Sequence, residues 1–232
     1  ILKILKKIIN EENKKISNSA KLIKKSYLNG GQLYIFGTGH SHMMAEESFH
    51  RAGGYAGACP ILDKRIDFSH GAKKATKLER TPRIASDVLK KYRITNKDII
   101  IIFSNSGVNH VPVEAALFAK KKNIKSIAIL SYQYSKIAPL SQLGKRLFEI
   151  TDLFIDNKIP IGDSVVKIDK KKYVGPASTI VGSFILNLIL VELAGILKNQ
   201  SEFPFYISSN MPEAKDNNDK LIKKFIKLNP HL

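Results

Sequence analysis

Tryptophan is absent from this sequence, and cysteine occurs only once, at Cys59. A single cysteine excludes an intrachain disulfide and is typical of proteins kept in a reducing compartment, so we expect a cytoplasmic location. We interpret Cys59 as a small, buried, apolar residue.

Acidic residues are also scarce. The 20 Asp and Glu residues face 38 Lys and Arg residues, which gives a formal net charge of +18. Such a charge suggests nucleic-acid binding, because Lys and Arg side chains release counterions from a phosphate backbone. The lysines, however, are spread along the whole chain without interleaved aromatic residues. We therefore expect a solvated lysine surface that attracts small anions, and no specific nucleic-acid partner.

Only one hydrophobic run is long enough to suggest a membrane span, residues 180–197. It contains Asn187 and Glu192, whose side chains are costly in lipid, so we expect no membrane span but a helix buried in the core or at a subunit contact. Three lysines interrupt residues 1–9 and no small-residue cleavage site follows, so we expect no signal peptide. The chain begins without methionine, which fits further residues ahead of Ile1.

The spacing of apolar residues indicates the fold class. Apolar residues recur at helical spacing from Ile1 to Tyr27, which predicts an N-terminal helix. Short apolar runs then alternate with helical patterns: strands are predicted at 33–36, 58–62, 99–103, 126–131 and 153–155, and helices at 41–52, 75–92, 111–122, 177–198 and 213–228. Strands that are apolar on both faces and separated by helices predict an α/β sandwich with a parallel sheet covered on both sides.

We expect a single domain over residues 1–232. It consists of an N-terminal helix (1–31), an α/β core (32–198) and a C-terminal tail with a helix (199–232). Within the core, residues 159–175 interrupt the alternation and are predicted to form a small hairpin or an edge strand.

Small polar residues follow three of the predicted strands. The first loop reads Gly37-Thr38-Gly39-His40-Ser41, the second reads Ser104-Asn105-Ser106-Gly107, and the third runs from Ser131 to Ser135. The carboxyl ends of parallel strands share one edge of the sheet, and ligands bind there. Glycines and hydroxyls let a backbone approach an anion closely and donate hydrogen bonds to it. The sequence therefore predicts an anion site at this edge.

Other ligand-binding motifs fit less well. A dinucleotide loop needs a third glycine where His42 stands, and neither a P-loop nor a G-x-S-x-G elbow occurs. His42, Glu46 and His50 are spaced so that they would lie along one face of the predicted helix. Three residues in line do not surround an ion, so we expect no bound metal.

Acid–base chemistry needs a titratable side chain at the same edge of the sheet. Glu46 and Glu47 belong to the predicted helix after the first strand, and His40 lies in the loop itself. A second group, His70 and Glu79, lies between the second and third strands and is predicted to fold over the site as a lid.

The loops "GTGHS" and "SNSG", in combination, resemble the sugar isomerase (SIS) domain family. The wider run "IFGTGHSHMMAEESFHRAGG", with "KLER", "IIIIFSNSGVN", "SKIAPL" and "VGPAST", is similar to one bacterial branch, the sugar isomerase domain-containing proteins. The resemblance implies a flavodoxin-like three-layer sandwich with a five-stranded parallel sheet. It also implies a phosphorylated sugar as ligand, and a homodimer or homotetramer with sites near the subunit interface.

The resemblance further implies that the loop from Ser104 to Gly107 holds the phosphate, helped by Ser131 and the turn after it. Asn109 stands where the family usually has Thr or Ser, and its amide can still donate a hydrogen bond. Phosphoheptose isomerases and muramic acid phosphate etherases carry a working glutamate late in the first helix. The corresponding region here has His50 and Arg51.

We therefore expect an aldose–ketose isomerase acting on a phosphorylated sugar or amino sugar. This reaction needs no redox cofactor, so we expect none. Glu79 is the first choice for the proton-transferring carboxylate and Glu47 the second, with His40 or His70 assisting at the oxygens. The alternatives are a non-catalytic phosphosugar sensor and a sugar-phosphate etherase or lyase. The predicted phosphosugar-binding residues are Gly37, Thr38, Gly39, Ser41, Ser104, Asn105, Ser106, Gly107, Asn109, Ser131 and Ser135.

Overall fold

A five-stranded parallel sheet lies at the centre of the computed structural model, which describes residues Ile1–Leu232. Its strands are β1 (Leu33–Gly37), β2 (Ala58–Pro60), β3 (Ile99–Phe103), β4 (Lys125–Leu130) and β5 (Leu153–Asp156). They pair in the order β2-β1-β3-β4-β5, and every pair is parallel. The order changes direction between β1 and β3. In open α/β sheets a ligand crevice forms at such a switch point.

Helices cover both faces of the sheet. They are α1 (Leu2–Leu28), α2 (Met43–Glu47), α3 (Ala72–Leu78), α4 (Ile84–Leu89), α5 (His110–Lys121), α6 (Tyr132–Ile137), α7 (Leu147–Ile150), α8 (Ser178–Leu197) and α9 (Ala214–Phe225). Alternate residues of a strand point to opposite faces, so each strand contributes to two cores. Ile35 and Ile101 belong to a core with α1 and α8, whereas Phe36 and Ile102 belong to a core with α4, α5 and α7. The predicted three-layer α/β sandwich is confirmed.

The long apolar run forms α8, which packs along α1 in the first core. By length and composition alone, α8 is apolar enough to cross a membrane, but core helices of soluble proteins meet the same criterion. In its most apolar stretch, 44% of the residues are buried inside the protein. Part of its surface stays open: Ile180 and Val191 are exposed, the latter by 70%.

The predicted helix at 41–52 is much shorter than expected. A 3-10 turn (Gly39–His42) leads into α2, which ends at Glu47. The chain then turns through His50, whose φ is 40°, and the His50 ring contacts Tyr206 from the C-terminal segment. His42 lies within 3.3 Å of Glu46, whereas the ring of His50 contacts Phe49 and Tyr206. Because α2 ends at Glu47, the residues His42, Glu46 and His50 do not share one helical face, which a metal site built from them would have needed.

The predicted helix at 75–92 is divided into α3 and α4. Pro82 causes the break, because proline disfavours helical backbone in the residue before it and has no N–H to donate. Arg83, the next residue, has a left-handed φ of 70°. The stretch after β4, predicted as a loop, contains the short helices α6 and α7.

The predicted hairpin is confirmed as two antiparallel strands, β6 (Ser164–Asp169) and β7 (Lys172–Pro176). It connects the end of β5 to the start of α8 and forms no pairs with the central sheet.

Candidate functional site

A cleft of about 420 Å³ opens at the carboxyl ends of β1 and β3, where the strand order changes direction. Its walls come from the loops after three strands, from α3, and from the start of α8. The lining residues are Thr38, Gly39, His40, Ser41, Phe68, Ala75, Thr76, Glu79, Ser104, Asn105, Ser106, Asn109, Tyr134, Asp163 and Ser178. All three loops predicted from the sequence therefore contribute to the cleft, the third only through Tyr134, as expected for a ligand site at a switch point.

The first loop, residues 37–41, turns sharply at the end of β1. Gly37 is required at the turn, because a Cβ on this residue would lie 2.2 Å from the carbonyl oxygen of Ser41. The N–H of Ser41 donates to the carbonyl of Thr38 over 3.0 Å and closes the 3-10 turn. Thr38, His40 and Ser41 are thereby presented to the cleft.

The second loop, residues 104–109, supplies hydrogen-bond donors. The backbone N–H groups of Asn105 and Ser106 have no acceptor within the chain, and both residues line the cleft. The hydroxyl of Ser104 accepts a hydrogen bond from the N–H of Gly107 over 3.3 Å, so its own hydrogen is free to donate elsewhere. The loop then leads into the N-terminus of α5, where Asn109 is the N-cap. Free N–H groups and a helix N-terminus favour an anion at this wall of the cleft.

Glu79 also lines the cleft, directly after α3. The hydroxyl of Thr38 donates a hydrogen bond to one carboxylate oxygen of Glu79. The carbonyl of Glu79 accepts the N–H of Val111 over 3.1 Å, which ties the residue to the first turn of α5. The carboxylate is therefore held by the first loop, and the backbone of Glu79 by the helix that follows the second loop.

His40 and Phe68 form the outer rim of the cleft. Their rings meet edge to face at 4.8 Å between centroids. Phe68 belongs to the segment before α3 and, with Ala75, brings an apolar surface to the site.

Asp163 joins the cleft to the start of α8. Its carboxylate accepts the N–H groups of Ala177 and Ser178 and the hydroxyl of Ser178, the last over 2.7 Å. Carboxylates at this position satisfy free N–H groups of a helix N-terminus. Sequence reasoning missed both residues as part of the site. Ser178 lies in the "VGPAST" run, whereas nothing in the sequence distinguishes Asp163 from a surface carboxylate.

Several predicted residues do not line this cleft. Glu47 pairs with Arg51 and accepts hydrogen bonds from Ser183 and Asn187 of α8, in a separate depression. His70 is exposed in the turn before α3 and is absent from the cleft wall. The expected roles of Glu47 and His70 therefore have no geometric support within one chain.

The third loop supports the site from behind. Ser131 is fully buried, and its hydroxyl donates to the carbonyl of Ile159 over 2.6 Å and accepts the N–H of Tyr134. Ser135 is also fully buried, and its hydroxyl lies near Gly107 without a hydrogen-bond partner. Tyr134, between them, is the residue of this loop that reaches the cleft.

Shifted pKa values occur around the sheet, outside the cleft wall. Burial opposes the charge on Lys158, but its hydrogen bonds to Glu12, Glu11 and Asp156 outweigh this effect and raise its pKa. Burial raises the pKa of the Cys59 thiol, in agreement with its interpretation as a buried apolar residue.

Comparison with protein families gives a match to the SIS domain over residues 1–131. A curated relative, the UPF0309 protein of Brucella anthropi, is 38% identical over 218 residues, covering 94% of this chain and 89% of the relative.

Solved structures share the fold. A phosphoheptose isomerase from Francisella tularensis superposes with a TM-score of 0.55 at 14% identity, covering 83% of this chain and 91% of that one. The sugar isomerase domain of an RpiR transcription factor from Sphaerobacter thermophilus superposes with a TM-score of 0.51 at 12% identity, covering 98% and 94%.

Proposed function

The chain belongs to the SIS domain family, and we propose that it is an aldose–ketose isomerase acting on a phosphorylated sugar or amino sugar. The observation that carries the proposal is the presence, in one cleft, of a fixed carboxylate, Glu79, and a loop of free hydrogen-bond donors. A phosphate needs such donors, and an isomerase needs a positioned base. The similarity in fold to a phosphoheptose isomerase supports the proposed isomerase activity.

The phosphate binds at residues 104–109. The N–H groups of Asn105 and Ser106, the hydroxyl of Ser104 and the N-terminus of α5 face this position. The net charge of +18 attracts a dianionic substrate to the protein. The phosphate then serves as the anchor that orients the sugar carbons toward Glu79.

Glu79 transfers the proton. Its carboxylate removes the hydrogen from C2 of the aldose and returns it to C1, while a proton moves from the C2 hydroxyl to the C1 oxygen. His40, which lines the same cleft, assists this second transfer. Thr38 keeps the carboxylate in position through its hydrogen bond to Glu79.

The test is turnover of a panel of hexose, amino-sugar and heptose phosphates, followed by NMR in D2O. An isomerase incorporates deuterium at the carbon that receives the proton. Glu79→Gln keeps the size of the side chain and removes the base, so we expect binding without turnover. The loss in rate should be at least about 100-fold, the lower end of what a general base contributes.

A matched control is Glu213→Gln, because Glu213 is an exposed glutamate at the start of α9, outside the cleft. Turnover by Glu79→Gln at the wild-type rate, or no turnover of any sugar phosphate by the wild type, would contradict the isomerase proposal.

The second candidate is a non-catalytic phosphosugar sensor. It is supported by the similarity in fold to the sugar isomerase domain of a transcription factor, over 98% of this chain. The same panel separates the two candidates. A sensor gives a thermal shift with one of the sugar phosphates, no deuterium incorporation, and an affinity that Glu79→Gln leaves unchanged.

We also propose that the chain assembles as a homodimer or homotetramer. The supporting observation is the open apolar surface of α8, where Ile180 and Val191 are exposed. Isolated apolar residues are common on protein surfaces, but two large ones exposed on the same apolar helix favour an interface. Light scattering after size exclusion should give a multiple of 25.9 kDa, and Val191→Glu should lower it. A monomeric wild type would refute the assembly.

A further inference from the structure

The turn after β5 contains a buried asparagine, Asn157, that no feature of the sequence distinguishes. It is 3% exposed and lies with Asn105 and Ser178 around a cavity of about 10 Å³ beneath the cleft. A cavity of this size holds one water at most, so a sugar cannot reach it. Any effect of Asn157 on a ligand must therefore pass through a neighbouring residue.

The hydrogen bonds of Asn157 fix the orientation of its amide. The N–H of Ile159 points at the side chain over 3.0 Å, and because an N–H only donates, the atom facing it is the oxygen Oδ1. The other end of the amide is then Nδ2, which donates to Oδ1 of Asn105 over 2.9 Å. Asn105 consequently turns its oxygen toward Asn157 and keeps its NH2 group free.

The turn that holds Asn157 is fastened on several sides. Its N–H donates to the carbonyl of Leu130 over 2.8 Å. The carbonyl of Ile159 accepts hydrogen bonds from Ser131 and Gln133. Lys158, which lies between Asn157 and Ile159 in the chain, forms salt bridges with the carboxylates of Glu11, Glu12 and Asp156. The position of the Asn157 amide is thus set by the sheet and by α1.

We propose that Asn157 is a positioning residue that makes Asn105 present its NH2 group, and not its oxygen, to the anion in the cleft. The inference rests on the phosphosugar-binding function proposed above. An NH2 group donates a charge-assisted hydrogen bond to a phosphate, whereas a carbonyl oxygen at the same place repels it. Asn157 therefore contributes to anion binding without touching the ligand.

Asn157→Asp is the decisive variant. An aspartate has nearly the same shape and still accepts the N–H of Ile159, but its second oxygen cannot donate to Asn105. Asn105 must then turn its NH2 group toward Asp and its oxygen toward the anion. With inorganic phosphate as the probe in calorimetry, we expect the Kd to rise about tenfold or more, as for the loss of one hydrogen bond to a charged group.

Asn229→Asp is a closely matched control. Asn229 is also buried, accepts an N–H two residues ahead (His231, 3.1 Å) and donates its amide across the structure to the carbonyl of Ala58. It lies outside the cleft. We expect Asn229→Asp to change stability by an amount similar to that of Asn157→Asp and to leave the Kd for phosphate unchanged.

A double variant separates positioning from the added charge. Asn105→Ala removes the group through which Asn157 acts, so Asn157→Asp should weaken phosphate binding much less in that background. If the whole effect persists without Asn105, the charge acts on the anion directly and the proposal is wrong. It is equally wrong if the wild type binds phosphate and Asn157→Asp binds it as tightly. A wild type that binds neither phosphate nor any sugar phosphate refutes the proposed function itself.

If Asn157→Asp does not fold, an NMR measurement on the wild type tests the proposal instead. The side-chain NH2 resonances of Asn105 can be assigned by their absence in Asn105→Ala. They should move on titration with phosphate, while those of Asn229 stay in place. Unmoved Asn105 resonances in a protein that binds phosphate would overturn the inference.

Discussion

Gly107→Ala tests whether the conformation of the second loop, residues 104–109, depends on tight packing around Gly107. Gly107 has a left-handed φ of 62°, and a Cβ there would lie 3.0 Å from the hydroxyl of Ser135 and 3.2 Å from Cδ2 of Leu130. The substitution therefore adds two costs. One is the left-handed backbone of a residue with a Cβ, and the other is the crowding of a buried site.

The two costs can be worked out separately. The left-handed conformation costs about 1–2 kcal/mol, and crowding in a packed interior adds about 1–3 kcal/mol. We expect Gly107→Ala to lower the free energy of unfolding by about 2–5 kcal/mol in urea titrations, with weaker phosphate binding because the loop must move. Gly144→Ala isolates the first cost, since Gly144 has a φ of 60° and nothing within 4 Å of the added Cβ.

A second variant assigns the crowding to its cause. Ser135→Ala removes the hydroxyl that meets the new Cβ, so the pair Gly107→Ala/Ser135→Ala should recover part of the loss. Equal destabilisation by Gly107→Ala and Gly144→Ala would refute the reasoning, because the loop would then accommodate the methyl group freely.

Three further results are expected. Ser135→Ala alone should leave the free energy of unfolding unchanged or raise it slightly, because the buried hydroxyl of Ser135 has no hydrogen-bond partner. It should also leave the Kd for phosphate unchanged, and a higher Kd would place Ser135 at the ligand. Hydrogen bonds from the side chains of Arg65 and Lys91 hold the pKa of Asp63 below its usual value. The Asp63 carboxylate therefore stabilises the fold at pH values above the unfolded-state pKa of about 3.9, and this stabilisation is lost as the pH falls below that value. Asp63→Asn should therefore cost about 1–2 kcal/mol in urea titrations at pH 7 and less at pH 3, and an equal cost at both would count against the ion pair. Because burial raises the pKa of Cys59, its thiol should react with a disulfide reagent at pH 8 only after urea unfolds the protein, and rapid reaction of the native state would contradict this burial.

The fold class could be read from the sequence because it depends on local patterns. Strands buried on both faces must be apolar throughout, and Ile99–Phe103 has no polar residue. The N-terminal helix was equally clear, because its buried residues recur at helical spacing. Helix ends were less predictable. The helix at 41–52 stops early because His50 turns to meet Tyr206, a contact with a residue far along the chain.

The edge of the sheet at which the cleft opens was also predictable, because glycines and hydroxyls follow three strands whose carboxyl ends share that edge. The loops at 37–41 and 104–109 do meet in one cleft. The choice among the acidic residues could be ranked from the sequence but not decided. Glu47 and Glu79 are both glutamates near the ends of short helices, yet only Glu79 faces the cleft, where Thr38 holds it.

The sequence by itself determined the sandwich and the edge of the sheet at which the cleft forms, since both follow from residue types at regular spacing along the chain. The tertiary structure alone decided which side chains meet there. Asp163 and Asn157 are ordinary polar residues in sequence, and they gain a role only because β5 ends beside β4 and the chain returns to α8 across the cleft. Such contacts join residues far apart in the chain, and no local pattern records them.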